Sequence, residues 1–417
     1  MDDFLKGLWG RKAVRYCVLA ILAAMALVSL IQGIRNAAES SQDFQWDAAK
    51  ALSMRLDPYD LSFGPQQALN YPPLEEFYRL YTDKGLKQQM EANQFPSLLM
   101  LLMPYTFLPP LTARYAWIIS NLIFTAGIIF LLRRTFLKNA DRDVFIAFML
   151  LMIAGTPYRN QLGVGQHTLY AFFFFLLAVW FEGMYPSHNG SPDGNDVRIC
   201  KSNHVLFAAV VISLFICYFK YTLTVPLCLY FVYKRRYPEI MVSAGLHAAL
   251  TAVSAVWLND SFINMIIKPL KVSSALAAEG GLDFGALFGG SPAAYVLALI
   301  VMAALFVLAL RLGSNTDSVR DGCIISVLIL WSLILTYHRT YDFFVMSAVL
   351  AFFCEKDRSI WLKIWYAVTL FAVFFVLRIF SESAVSRMIT GAVYYTFTIV
   401  MTAEAVLAAV SAKKKGY

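Results

Sequence analysis

Apolar runs recur along the whole chain, each closed by a short polar or basic stretch. Runs of this length, repeated from one end to the other, predict helices crossing about 30 Å of hydrocarbon. Spans are expected near Ala13–Ile34, Leu111–Leu132, Val144–Thr156, Thr168–Phe181, Val205–Phe219, Tyr221–Tyr233, Ile240–Leu258, Ala293–Leu310, Cys323–Tyr337, Phe343–Phe353, Ile364–Phe380 and Thr390–Val410. The expected fold class is therefore all-α: a polytopic membrane protein of about 12 transmembrane helices, residues 1–417 forming one membrane domain. The first run is too long for a signal-peptide core and lacks a small-x-small cleavage site, so it is expected to stay as the first span. Phe95–Leu108 is apolar but short, carries Pro96 and Pro104, and runs into Pro109-Pro110. Residues 95–110 are read as a re-entrant or interfacial segment, which needs its backbone buried in protein or lining a cavity.

Charge fixes the orientation. With twelve spans, the clusters Lys6/Arg11/Lys12, Arg133/Arg134/Lys138/Arg142, Lys234/Arg235/Arg236, Lys356/Arg358/Lys363 and Lys413–Lys415 all fall on one side, the cytoplasmic one by the positive-inside rule. Both termini are then cytoplasmic, in a plasma (inner) membrane. The loop 35–94 lies outside, with the turns Gly155–His167, Phe219–Tyr221, Asn259–Ser291 and Tyr337–Asp342. Tyr185–Asn203 reads as a flexible Gly/Pro/Ser/Asn linker.

Composition agrees. Of 417 residues, 59% are hydrophobic and only 15% charged, against about 25% charged in soluble domains. The net charge of +8 sits in interhelical clusters, which excludes a nucleic-acid partner. The six Cys lack metal-ligand spacing and mostly fall within apolar runs, as small buried hydrophobes do.

The chemistry-bearing residues gather in the outer turns. Asp43 follows the first span among the aromatics Phe44 and Trp46, where partial burial raises a carboxyl pKa and suits a general base. Asp47 occupies a capping position for a helix over Ala48–Leu56, expected to lie on the membrane, and Asp57-Pro58-Tyr59-Asp60 reads as a turn. The hairpin GTPYRNQLGVGQH carries Arg159, Asn160, Gln166 and His167. Lys220 sits at the apex of FKYTLTVP, and YHRTYD places Tyr337, His338, Arg339 and Asp342 at the mouth of the bundle. Such groups are costly in lipid and usually face a cavity or substrate. One carboxylate facing several cations suits group transfer from a lipid phosphate: the carboxylate takes a hydroxyl proton and the cations hold the leaving phosphate. Trp46, Tyr59 and Tyr71 are candidates to stack on an acceptor sugar. No metal site is evident; a divalent ion held mainly by phosphate is left open.

At these residues the chain resembles glycosyltransferase family 87 of the GT-C superfamily. The matching stretches are DFQWDAAKAL with DPYD, NYPP, NQFPSLLMLLMPYTFLPP with Trp117 and Asn121, TPYRNQLGVGQHTLYAFFFFLLAVW, KYTLTVPLCLYFVYKRRY and YHRTYD. The resemblance implies a GT-C-like fold whose first outer loop carries short interfacial helices. It also implies an inverting transfer of mannose or a related sugar from a polyprenyl-phosphate donor to a glycan or glycolipid acceptor, outside the cytoplasm. It makes Asp43 the base, with Asp47 as the alternative because the spacing to Ala48-Ala49 is tighter than usual. It places His338 near the donor phosphate, and the residue pattern adds Arg339, Lys220 and Arg159 as the further cations expected there. The competing readings are a transporter or flippase of lipid-linked sugars, which needs no base, and a polymerase or ligase of lipid-linked glycans.

Overall fold

The computed structural model describes residues 7, 10–63, 75–77, 79, 90–138, 140–185, 196–276, 281–312, 318–350, 360–376 and 384–414. Among them the secondary structure is entirely helical. Helix α1 (Lys12–Glu39) opens the bundle; its 28 residues reach about 42 Å, more than a membrane core needs. A 3₁₀ turn (Gln42–Phe44), α2 (Trp46–Ser53) and α3 (Pro58–Ser62) follow. Next come α4 (Pro96–Leu102), extended by a 3₁₀ segment Met103–Phe107, then α5 (Pro110–Thr135), α6 (Arg142–Ala154), α7 (Thr156–Val164) and α8 (Thr168–Glu182). Helix α9 (Asp196–Cys217) passes through a 3₁₀ turn, Tyr218–Lys220, into α10 (Tyr221–Leu227) and α11 (Leu229–Tyr233). The rest is α12 (Tyr237–Leu258), α13 (Phe262–Leu276), α14 (Phe284–Leu287), α15 (Pro292–Leu312), α16 (Ser318–Leu335), a 3₁₀ segment Thr340–Leu350, α17 (Ile360–Phe371) with a π turn Ala372–Val376, and α18 (Ala384–Lys414).

This is a membrane protein, but twelve regular spans are not what the described residues form. Six helical stretches are long and apolar enough to cross, and α7 with α8 makes a seventh only as a pair bent by 108°. The expected span Phe343–Phe353 starts instead as a 3₁₀ segment buried almost throughout. One of the six, Asn203–Leu227, is not a single rod. Eleven residues of straight helix rise about 16 Å, yet the Cys217 and Cys228 thiols interact. The chain therefore doubles back at Lys220, whose backbone (φ −103°, ψ 63°) leaves the helical region. Pro226 then interrupts the returning strand of this hairpin. Cys217, Cys228 and Cys323 are buried, whereas Cys17 is exposed on α1.

The first outer loop departs from expectation at two points. Helix α2 begins at Trp46 with Gln45 at its N-cap, so Asp47 lies in its first turn and does not cap it. Asp57 does cap: its carboxylate accepts from the amides of Tyr59 and Asp60, making the expected turn a short helix with Pro58 first. Lys268 of α13 clamps this region through Asp57 (2.6 Å), Asp60 (3.0 Å) and Asp260 (2.9 Å). Helix α4 packs on α2 and α12. Its Ser97 hydroxyl bonds His247 Nδ1 at 2.8 Å, while His247 Nε2 donates to the Phe215 carbonyl at 2.6 Å.

The two ends of the bundle differ. At one end, Lys234 contacts Asp321 (2.7 Å) and Glu182 (3.9 Å), and Arg236 contacts Glu182 at 3.3 Å. The Tyr230 hydroxyl lies 3.4 Å from Glu182 and 3.3 Å from Asp321. Helices α8 and α16 and the α10–α11 strand of the hairpin each run from this network to the opposite end, where the outer-turn residues gather.

Candidate functional site

The site is built around the turn that ends α1. Ser41 (φ 48°) and Gln45 (φ 63°) both take left-handed backbone, bracketing Asp43. Such conformations cost non-glycine residues about 1–2 kcal/mol each and persist only where neighbours enforce them. The neighbours are visible. The Ser41 hydroxyl donates to the Ala37 carbonyl at 2.6 Å, and Gln45 Nε2 to the Glu91 carbonyl at 2.8 Å. Phe44 stacks on Trp117, ring centroids 4.9 Å apart, and meets Tyr105 edge-on. Trp117 in turn donates its indole N–H to the Gly165 carbonyl at 2.8 Å. Gly165 (φ 70°) is the left-handed residue that lets α7 break into α8. Asp43 and Gln166 are thus positioned by one continuous aromatic contact.

The consequence is direct. Gln166 Nε2 bonds Asp43 Oδ2 at 3.2 Å and the Tyr341 hydroxyl at 2.9 Å, while its Oε1 accepts from the His167 amide at 2.8 Å. Asp43 is 9% exposed. Burial pushes its carboxyl up to about 6, the largest influence, against the opposing charges of Lys220 and Arg339; Glu91 pushes the same way as burial. An Asp with this value is ionised at neutral pH yet basic enough to accept a proton.

Beside it, Lys220 pairs with Asp342 Oδ1 at 3.2 Å, and the Thr168 hydroxyl donates to the same oxygen. The Lys220 ammonium also stands 5.4 Å from the Tyr341 ring centroid. His338 is buried, its Nδ1 donating to the Thr336 carbonyl at 2.8 Å, its Nε2 without a hydrogen bond. Burial lowers its pKa most; Lys220 lowers it further, while Asp342 and Asp283 raise it. Arg339 is exposed, with its Nε donating to the Tyr337 hydroxyl. Among the described residues, no group of three or more His, Cys, Asp or Glu is arranged to hold a metal ion.

Five separate turns therefore converge at one end of the bundle: Asp43, Gln166, Lys220, the Tyr337–Asp342 stretch and the loop before α14. Other expected residues fall elsewhere. Arg159 reaches α1, donating to Gln32 Oε1 at 2.8 Å, and Asn160 is half-buried on the same helix. Trp46 is buried, its indole N–H spent on the Tyr105 carbonyl at 3.0 Å, and Tyr59 is fully buried with its hydroxyl on the Gln94 carbonyl at 2.8 Å. Neither presents a ring for a sugar to stack on, because the interfacial helices turn their aromatics inward to fill the loop's own core. His167 is likewise fully buried, packed on Trp117 at 5.3 Å. Asp342 Oδ1 is taken by Lys220 and Thr168. Tyr71 lies outside the described residues. Sequence reasoning passed over Tyr341 and Thr168, though both stand inside quoted motifs, and over Asp283, which carries no motif signal.

A separate cavity of about 510 Å³, lined mostly by apolar side chains, lies between the α10–α11 arm of the hairpin, α12, α13 and α15, with Phe95 and Ser97 at the start of α4. Tyr221, the residue after Lys220, forms part of its wall, as do Val232 and Met302.

In comparison with known families, the model of glycosyltransferase family 87 matches residues 96–336, more than half of the chain. It includes Gln166, Lys220 and Asp283, and leaves Asp43 and the Tyr337–Asp342 stretch outside. No curated protein and no solved structure matches.

Proposed function

Because the chain belongs to glycosyltransferase family 87, we propose that it transfers a sugar, mannose or a related hexose, from a polyprenyl-phosphate donor to a glycan or glycolipid acceptor. The observation that carries this reading is Asp43: a buried carboxylate with a raised pKa, tied to Gln166 and Tyr341 and opposed by the charges of Lys220 and Arg339. The acceptor hydroxyl gives its proton to Asp43 as its oxygen attacks the anomeric carbon. The bond from that carbon to the phosphate oxygen breaks, and configuration inverts. The donor is a phosphodiester with one negative charge, and the product is a polyprenyl phosphate monoester with a second. Arg339, His338 and Lys220 are the groups on hand to stabilise that added charge. A mostly apolar cavity that includes Tyr221, the residue after Lys220, in its wall supports a donor with a long apolar tail. Both termini are assigned to the cytoplasm and the site to the outer face of the plasma (inner) membrane, from the basic clusters.

The test is incubation of the purified protein with a panel of polyprenyl-phosphate sugars and candidate acceptors, scoring release of polyprenyl phosphate. Transfer from at least one donor is expected. If no donor is consumed while vesicles containing the protein move lipid-linked sugar between leaflets, the transferase assignment is overturned in favour of a transporter.

A further inference from the structure

Asp283 is a carboxylate that the proposed transfer does not use. It is 2% exposed. Its Oδ1 accepts the Ala286 amide at 3.1 Å, capping the four-residue helix α14, and its Oδ2 has no hydrogen bond. A cap needs only one oxygen and is served as well by Asn or Ser. A buried charge with a free oxygen costs several kcal/mol unless a nearby positive charge offsets it.

The neighbour is His338. The point beside Gly281 where a β-carbon would stand is 2.1 Å from Asp283 Oδ2 and 3.1 Å from the His338 carbonyl, so carboxylate and His338 backbone lie within about 5 Å. Any side chain at 281 would displace this carboxylate. His338 mirrors it: Nδ1 is fixed as a donor to Thr336, and Nε2 is buried without a partner. The Asp283 carboxylate thus lies close to the His338 backbone, its charge acts on the imidazole, and each side chain keeps one buried polar atom without a partner. The other charges acting on His338 are Asp342 on the 3₁₀ segment and Lys220 at the hairpin tip. These two are already paired with each other, which leaves Asp283 as the uncompensated one.

We propose that Asp283 is a positioning residue acting through His338: its buried charge opposes burial and the Lys220 ammonium and so favours the protonated imidazole, whose Nε2 faces the departing phosphate. This rests on the transferase reading for its catalytic meaning. The charge coupling itself does not, and it is measured separately.

Histidine nitrogens are labelled with ¹⁵N in the full-length protein and titrated from pH 4 to 9, alone and with polyprenyl phosphate. The His338 signal, one of five, is identified by its loss in His338→Ala. Asp283→Asn and Asp283→Ser both keep the cap and remove the charge. In each, the His338 midpoint is expected to fall by about one pH unit, a tenfold loss of proton affinity. In the transfer assay the descending limb of kcat moves down equally, so the rate above the wild-type midpoint drops about tenfold and the rate well below the variant's midpoint is preserved. In a His338→Ala background, Asp283→Asn has no further effect. An unmoved midpoint in both variants, or a His338 neutral throughout with and without polyprenyl phosphate, overturns the proposal whether or not transfer is seen. A moved midpoint in a protein that transfers nothing upholds the coupling and sinks the transferase reading instead.

Discussion

Replacing Asp43 with Asn separates chemistry from folding. The carboxyl is raised from 3.8 to about 6, chiefly by burial, which corresponds to about 3 kcal/mol against the charged form. The sign follows from proton binding. The folded state holds its proton more tightly than the unfolded one, so the stability it contributes is complete below about pH 4 and is lost as pH rises through about 6. Above that, the ionised carboxylate is a burden on the fold. Asn removes the burden, and its carbonyl still accepts the Gln166 bond. The variant is therefore expected to unfold in detergent at a temperature no lower than the wild type at pH 7.5, and higher if part of the 3 kcal/mol is recovered. Activity moves the other way: loss of a general base lowers kcat roughly 10²–10⁴-fold. The acid limb of the wild-type kcat/KM should climb about tenfold per pH unit below 6. Transfer rate under saturating donor and differential scanning fluorimetry on the same preparations decide the matter. A flat wild-type profile between pH 5 and 7.5, or near-normal turnover by Asp43→Asn, refutes the base assignment; if Asp47→Asn then abolishes transfer, the role passes to Asp47.

Lys220→Ala strands Asp342 in a buried site and should cost about 3–5 kcal/mol; Lys220→Met with Asp342→Asn should recover most of that stability, seen by thermal unfolding, while leaving donor binding weak. Gly165→Ala forces a β-carbon onto a left-handed residue, 3.3 Å from Ser41, so a loss of about 1–2 kcal/mol and a lower transfer rate are expected; unchanged rate and melting would show that this bend does not position the base. For topology, cysteines introduced at the exposed positions Arg55 and Lys138 should react oppositely with an impermeant maleimide on intact cells, 55 labelled and 138 protected; the reverse would invert the orientation. Trp46→Phe should lower stability by about 1 kcal/mol through the lost bond to Tyr105 with acceptor KM unchanged, because the ring is packed inside the loop.

Much of the site was legible because its groups are expensive in lipid. Asp43, Lys220 and His338 stand out in an apolar sequence for that reason alone, and the structure brings their turns together. What pattern alone missed depends on direction, not on residue type. Trp46 and Tyr59 look like sugar-stacking rings from their place in an outer loop, but only the fold shows them pointing inward. Arg159 shares a hairpin with Gln166, yet seven residues of bent helix send it to α1. The fold was less legible than the site. Hydropathy sees apolar length, and it cannot tell a straight span from the Lys220 hairpin, the sharply bent α7–α8 pair or the 3₁₀ stretch after Arg339, all of which bury comparable hydrocarbon.

The far-end network of Glu182, Lys234, Arg236, Asp321 and Tyr230 implies a sorting of mutant phenotypes. Its charges answer one another, and they stand at the opposite ends of the same helices that hold Gln166 and Thr168, Lys220 and the His338 turn. A genetic screen should therefore divide by whether a lesion strands a buried charge. Lesions that do so, in this network or at the Lys220–Asp342 pair, will lower the amount of protein in the membrane. Replacement of Asp43 by Asn will leave full amounts of an intact but idle protein. Immunoblotting a library of loss-of-function alleles would draw that boundary without any knowledge of the substrate.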